Sequence, residues 1–294
     1  MLDAPSCPDN SNLMGKGVEQ GRSRAQALTS VLFVPGSRPD RLPKALASGA
    51  DLVCVDLEDA VPADGKAAAR EAAVAAVAPG VAVRVNAPTT RDGLADLLAL
   101  ADAGAPELVF VPKAEEPGHL DVAAGALGPD TGLVPLIETP RGLRHALAIA
   151  SHPSVAAIMF GGGDMAGELG VALAWEPLAA ARGALLLACA EAGRPAIDVP
   201  WIALDDEEGL ADECRRARAL GFAAKAAIHP AQVPAIRAAF SPSPDLVAEA
   251  RAATTAYRAA NGAAVRFNGR MLEVPIMRRY ERVLAQADRR EADA

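Results

Sequence analysis

Eight short apolar runs, each ending in polar residues and each followed by a helix-compatible segment, constrain this 294-residue chain more than any other feature. They are VLFVP at 31–35, DLVCVDLED at 51–59, VAVRVN at 81–86, ELVFVPK at 107–113, GLVPLIET at 132–139, VAAIMFGGGD at 155–164, RPAIDVPW at 194–201 and GFAAKAAIHP at 221–230. Near-continuous runs rich in Val, Leu and Ile suit parallel strands buried on both faces. Between them lie alanine-rich stretches such as DGKAAAREAAVAAV and DEEGLADECRRARALG, whose spacing and flanking glycines suit crossover helices. Eight strand–helix units predict an α/β protein with a (β/α)8 TIM barrel, a fold that reaches this length as one unit.

The apolar residues are chiefly Ala, Leu and Val, and aromatics make up only 3% of the chain, as expected for a helix-rich α/β protein. A formal charge of -8 argues against nucleic acid or an anionic membrane as main partner, while leaving room for a small acidic ligand in a local basic patch. Residues 1–30 contain no apolar stretch of signal-peptide type, and no later run is long and charge-free enough to span a bilayer, so a cytoplasmic protein is expected. The expected organisation is a flexible N-terminal tail over 1–28, a catalytic barrel over 29–240 and a C-terminal lid or oligomerisation segment over 241–294. Cys7, Cys54, Cys189 and Cys214 show no CxxC spacing, which predicts neither a disulfide framework nor a zinc site.

Polar residues gather at the C-terminal ends of the runs: Ser37 and Arg38 after the first, Glu58 and Asp59 in the second, Arg84 and Asn86 in the third, Lys113, Glu138 and Asp164 in the next three, Asp198 in the seventh, Lys225 and His229 in the eighth. In this fold the C-terminal rim carries the active site, because all eight strand ends converge there. For any one residue, entry into solvent is the commoner explanation, so the functional reading rests on their convergence.

Glu138 and Asp164 end neighbouring strands, and two oxygen ligands completed by water or substrate oxygens make a common Mg²⁺ site. Gly162 and Gly163, within the run Gly161–Gly163, would let backbone approach a substrate closely, although such a run also suits a plain turn. No G-x-x-x-x-G-K-[ST] is present, which excludes a P-loop. Arg84 suits a substrate carboxylate or enolate oxygen, or an internal ion pair with Glu58 or Asp59. Lys44 and Lys66, with Arg38 and Arg41, could form a basic mouth for phosphates or merely solvated helix faces. Lys113 could instead form a Schiff base, as in a metal-free aldolase. Residues 265–274, VRFNGRMLEV, predict two short strands around an Asn-Gly turn, with Pro275 opening the last helix.

The stretches VLFVPGSRPDRLPKALASGADLVCVDLEDAVPADGKAAAREA, VRVNAP, VPKAE, PLIETPRGL, GGGDMAGELG, RRARALGFAAKAAIHPAQV and GRMLEVP occur in an order that resembles the family of citrate lyase β subunits and malyl-CoA lyases, which includes citramalyl-CoA lyases and is related to the HpcH/HpaI aldolases. The resemblance implies a TIM barrel that binds Mg²⁺, or Mn²⁺ in its place, together with a CoA thioester and a small 2-oxo acid. It implies cleavage of a 3-hydroxy-3-carboxylic acyl-CoA to acetyl-CoA and a 2-oxo acid. A malyl-CoA-type thioesterase and a subunit acting on an acyl-carrier thioester are the alternatives. By the same resemblance Glu138 and Asp164 match metal ligands, Arg84 a substrate-oxygen arginine, and Glu58 and Asp59 acids beside the metal. Gly163 stands where a larger, often acidic residue is common. Glu273 replaces an aspartate that serves as acid/base from a lid over a neighbouring subunit, and homotrimers or homohexamers are implied.

Overall fold

The computed structural model describes residues 16–292. Ahead of the barrel, α1 (Lys16–Ala27) presents Val18, Gly21 and Ala25 as its buried residues, spaced for one helical face. Arg22 Nε donates to Val155 O at 3.2 Å and Arg24 Nη2 to Asp51 O at 2.6 Å. This part of the expected flexible tail is therefore an ordered helix, tied by a small apolar stripe and by guanidinium–carbonyl contacts from Arg22 and Arg24. Residues 1–15 of that expectation, with Cys7, lie outside the described residues.

The eight apolar runs form β1 (Ser30–Pro35), β2 (Leu52–Asp56), β3 (Val81–Arg84), β4 (Leu108–Val111), β5 (Gly132–Ile137), β6 (Ile158–Phe160), β7 (Ala196–Asp198) and β8 (Ala224–Ala227). They pair in parallel and in chain order, and β1 also pairs β8, which closes the barrel. The connecting helices are α2 (Leu42–Leu46), α3 (Lys66–Ala75), α4 (Arg91–Ala103), α5 (Pro117–Leu127), α6 (Pro140–Arg144), α7 (Ala146–Ala150), α8 (Gly162–Leu169), α9 (Trp175–Ala192) and α10 (Glu207–Leu220). Thr90, Thr139 and Asp206 cap α4, α6 and α10, each side chain accepting from the backbone N–H three residues on. Val31, Cys54, Ala82, Phe110, Val134, Ile197 and Ala226 belong to one buried cluster contributed by the strands. The fold is a (β/α)8 barrel.

Two strand ends differ from expectation in ways that matter for the site. β2 stops at Asp56, so Glu58 and Asp59 belong to the following loop. β6 stops at Phe160 and α8 starts at Gly162, so Asp164 stands in a first helical turn, where a negative charge suits the helix dipole.

Chain contacts divide the protein after Ile236, and α11 (Val233–Phe240) runs across that division. The second unit contains α12 (Pro244–Ala259), the antiparallel pair β9 (Val265–Phe267) and β10 (Arg270–Leu272), and α13 (Val274–Ala292). Asn268 and Gly269 join the hairpin at φ of 47° and 77°, the left-handed conformation a tight Asn-Gly turn requires. Ala250, Ala253, Leu272, Met277 and Tyr280 form a core of this unit's own, and Tyr280 Oη donates to Glu249 Oε1 at 2.7 Å. Among the described residues no helix is long and apolar enough to cross a membrane.

Candidate active site

A cavity of about 490 Å³ opens at the C-terminal ends of the barrel strands. Arg41, Asp56, Asp59, Arg84, Glu138 and Asp164 supply its polar lining, and Phe33, Leu136, Met159, Leu173, Val199 and Ile202 much of its apolar lining.

Arg84 is fixed by strand register, since Asp56 and Arg84 are direct partners on β2 and β3. Its Nε and Nη2 donate to the two oxygens of Asp56, both at 2.7 Å, a bidentate pair. Nη1 lies 2.8 Å from Glu58 Oε2 and 3.8 Å from Asp59 Oδ2. Below it, the Phe33 ring centroid is 5.5 Å from the guanidinium carbon. Burial works against the charge on Arg84, but the hydrogen bonds and charge of Asp56, then the charges of Glu58 and Asp59, outweigh it and raise its pKa. Burial pushes Glu58 up to about 7, against the opposing pull of Arg84. Arg84 thus has the internal acid partners that the sequence suggests and also borders the cavity.

Glu138 follows β5 and is almost fully buried; Asp164 is about two-fifths exposed at its side chain. The two share one cation, the Lys113 ammonium, which donates to Asp164 Oδ2 and lies 3.6 Å from Glu138 Oε1. The backbone N–H of Lys113 also donates to Glu138 Oε1, with Lys113 held at φ 52°, a backbone region unusual for a residue with a side chain. Burial raises Glu138 to about 8, and the nearby Glu58 charge adds to the effect. For Asp164 burial acts upward, but the Lys113 hydrogen bond and charge prevail and its pKa is lowered. On Lys113 burial acts downward, but Asp164 and Glu138 together raise its pKa, which opposes the neutral amine that Schiff-base formation needs.

These groups fit a divalent cation of the hard, oxygen-seeking kind. Both donors are carboxylates and both already face a cationic group. The chain also passes close beside Glu138: a Cβ at Gly161 would lie 2.4 Å from Glu138 Cβ and 2.8 Å from its Oε2. Among the described residues no cluster of three or more His, Cys, Asp or Glu side chains could hold a metal, so water or substrate oxygens would complete the coordination of a cation held here.

Other expected site residues are distributed differently. Gly163 lines the cavity with open space around its missing side chain, whereas Gly162 is buried, and a Cβ there would meet Phe160 and Val199 at 3.1 Å. Of the expected phosphate mouth, Arg38 and Lys44 stand exposed after β1, whereas Lys66 turns inward. Arg38 is paired with Asp40 at 2.8 Å, Lys44 is exposed on α2, and of the neighbouring bases it is Arg41 that reaches the cavity lining. Lys66 is the clearest correction, because its ammonium donates to Leu57 O, Glu58 O and Asn86 Oδ1 at 2.7, 2.6 and 2.7 Å and has no hydrogen left for a phosphate. Asp198 and Lys225 are sealed inside the wall of the barrel, and His229 caps a 3-10 turn by accepting from Ala231 N at 3.2 Å. Glu273 is exposed between β10 and α13 in the second unit. Asp56, which binds Arg84 through both carboxylate oxygens, and Phe33, whose ring the guanidinium overlies, were not singled out by the sequence as its partners; strand pairing of 56 with 84 is the signal that would have found the first.

Paired carboxylates and an acid-bound arginine at the C-terminal rim of a (β/α)8 barrel define a barrel protein equipped for oxyanion chemistry. The chain belongs to the HpcH/HpaI aldolase/citrate lyase family, whose pattern matches residues 29–230. It is 39% identical over 229 residues to a (3S)-malyl-CoA thioesterase of Cereibacter sphaeroides, covering 75% of this chain and 80% of that one. It is 36% identical over 265 residues to a citrate lyase subunit beta-like protein of Mycobacterium tuberculosis, covering 87% and 94%. The crystal structure of the protein CitE from Mycobacterium tuberculosis in complex with magnesium, acetoacetate and coenzyme A superposes with a TM-score of 0.78 at 36% identity, over 90% of this chain and 99% of that one. The family supports an enzyme with CoA-ester lyase or thioesterase activity.

Proposed function

We propose that this protein is a Mg²⁺-dependent carbon–carbon lyase that cleaves a 3-hydroxy-3-carboxylic acyl-CoA, of malyl-CoA or citramalyl-CoA type, to acetyl-CoA and a 2-oxo acid. The observation that carries this reading is the meeting of Glu138, Asp164 and Arg84 on one cavity. Glu138 and Asp164 would hold the cation, which when bound supplies Lewis-acid polarisation of the keto-acid half. Arg84, aimed by Asp56, offers its guanidinium to the thioester oxygen as enolate charge develops. Glu58 and Asp59 keep that guanidinium oriented, and Asp59 lines the cavity where it can accept a hydrogen bond from water. The hydroxyl proton passes to water in the cavity, the oxygen's electron pair forms the carbonyl of the keto acid as the carbon–carbon bonding pair passes to the enolate, and the acetyl carbon takes one proton back. For that last transfer we assign Glu273 of a neighbouring subunit in a homotrimer or homohexamer. A relative crystallised with magnesium, acetoacetate and coenzyme A supports the ligand set.

Hydrolysis is the second reading, favoured by the 39% identity to a malyl-CoA thioesterase. Mass spectrometry of the products from malyl-CoA and citramalyl-CoA with Mg²⁺ separates the two. The lyase yields a 2-oxo acid and acetyl-CoA, whereas free CoA with the intact hydroxy acid means hydrolysis. Activity of the isolated chain on either CoA ester also separates both from a carrier-bound substrate.

A further inference from the structure

The Lys66 ammonium makes three hydrogen bonds inside the protein, and two of its acceptors are consecutive carbonyls, those of Leu57 and Glu58. The third acceptor, Asn86 Oδ1, is itself held: Asn86 N and Nδ2 both donate to Asp96 Oδ2, at 2.9 and 2.7 Å. Asp96 is fully buried on α4 and accepts from Arg70 Nε of α3 through its other oxygen. A continuous set of polar contacts therefore runs from two crossover helices to the loop after β2. That loop carries Glu58 and Asp59, whose carboxylates face Arg84, and the N–H of Leu57 donates to Arg84 O at 2.9 Å. A compact ammonium can serve three converging acceptors, whereas the planar fork of arginine cannot reproduce that geometry.

We propose that Lys66 is a positioning residue: by fixing the carbonyls of Leu57 and Glu58 it holds the acidic loop in place and so sets how Arg84 faces the cavity. Its effect on turnover rests on the reading above, in which Arg84 acts at the reacting oxygen. Lys66 then differs in kind from a phosphate-binding lysine, which would act on affinity for the CoA portion and tolerate replacement by arginine.

The experiment compares wild type, Lys66→Met, Lys66→Arg and Asn86→Ala by steady-state kinetics on the acyl-CoA that the wild type cleaves, and by ¹⁵N NMR of the Arg84 Nε–H, assigned through Arg84→Lys. Misplacing a reacting group by about 1 Å costs on the order of 10²-fold, so both Lys66 variants are expected to lose about 10- to 100-fold in kcat. Their KM for the thioester should stay within about threefold, because no contact to the CoA portion is removed. The Arg84 Nε–H resonance should move in both. Asn86→Ala leaves the two carbonyl contacts and should show the same pattern at smaller amplitude; it decides the matter if Lys66→Met does not fold. A raised KM with kcat kept, restoration by Lys66→Arg, or an unmoved Nε–H resonance overturns the proposal. The NMR readout needs no turnover, so a wild type that cleaves neither CoA ester would refute the functional reading while leaving the Lys66 assignment to be judged on the resonance alone.

Discussion

Arg84 at the end of β3 and Lys225 within β8 are each surrounded by acids, yet their surroundings differ. Lys225 donates to Asp198 Oδ2, Glu213 Oε1 and Val199 O at 2.8, 2.6 and 2.6 Å, and Arg182 Nε donates to the other oxygen of Asp198 at 2.9 Å. Arg182 is covered in turn by the rings of Trp175 and Phe160, at 4.7 and 5.3 Å. Every charged side chain in this cluster is at most 7% exposed. Around Arg84, itself 13% exposed, Asp56 and Glu58 are buried at 4% and 9%, but Asp164 and Asp59 reach 41% and 63%. Helices α9 and α10 contribute Arg182 and Glu213 and so enclose the first cluster, whereas the second borders the cavity. Charge at a strand end is therefore not enough to mark a functional group; it must also face space a substrate can enter.

The largest expected effects come from crossing the two clusters. Asp164→Ala should leave no measurable turnover while barely moving the thermal unfolding midpoint. Asp198→Ala should do the reverse, costing about 3–5 kcal/mol of stability in denaturant titration, because it strands the buried cations Lys225 and Arg182. Equal loss of stability in both variants would erase the distinction. Next, Arg84→Lys keeps the charge but loses the bidentate fork, and a fall of at least about 10²-fold in kcat is expected, the scale of removing one oxyanion donor. Near-normal turnover would put Arg84 with Lys225 among the structural charges. The smallest effect concerns thiols in the barrel wall: burial pushes Cys189 up to about 12 and Cys214 up to about 11. Neither should react with iodoacetamide at pH 8 in the folded protein, and both should react once it is unfolded; rapid labelling of the native chain would show that the wall opens to solvent.

The strands were legible because each is an apolar run that pairs on both sides, and the Asn-Gly hairpin because its turn chemistry is local. Helix α1 was not, since KGVEQGRSRAQA carries only Val18, Gly21 and Ala25 as a stripe, and those small residues become informative once the barrel they pack on is known. Glu138, Asp164 and Arg84 were legible as rim residues. Lys66 was misplaced among surface cations because nothing local tells a solvated lysine from one whose three hydrogens meet Leu57, Glu58 and Asn86; those acceptors lie 8 to 20 residues away. Asp198 and Lys225 looked like rim groups for the same reason, their partners Arg182 and Glu213 lying 12 to 16 residues away on helices.

Whether Glu138 and Asp164 together hold a divalent cation is tested directly by Mn²⁺ titration followed by electron paramagnetic resonance, in Mg²⁺-free buffer without substrate. The prediction is saturable binding of one ion per chain in the wild type, displaced by added Mg²⁺ and lost in a folded Asp164→Ala variant. Undiminished Mn²⁺ binding in that variant would contradict it.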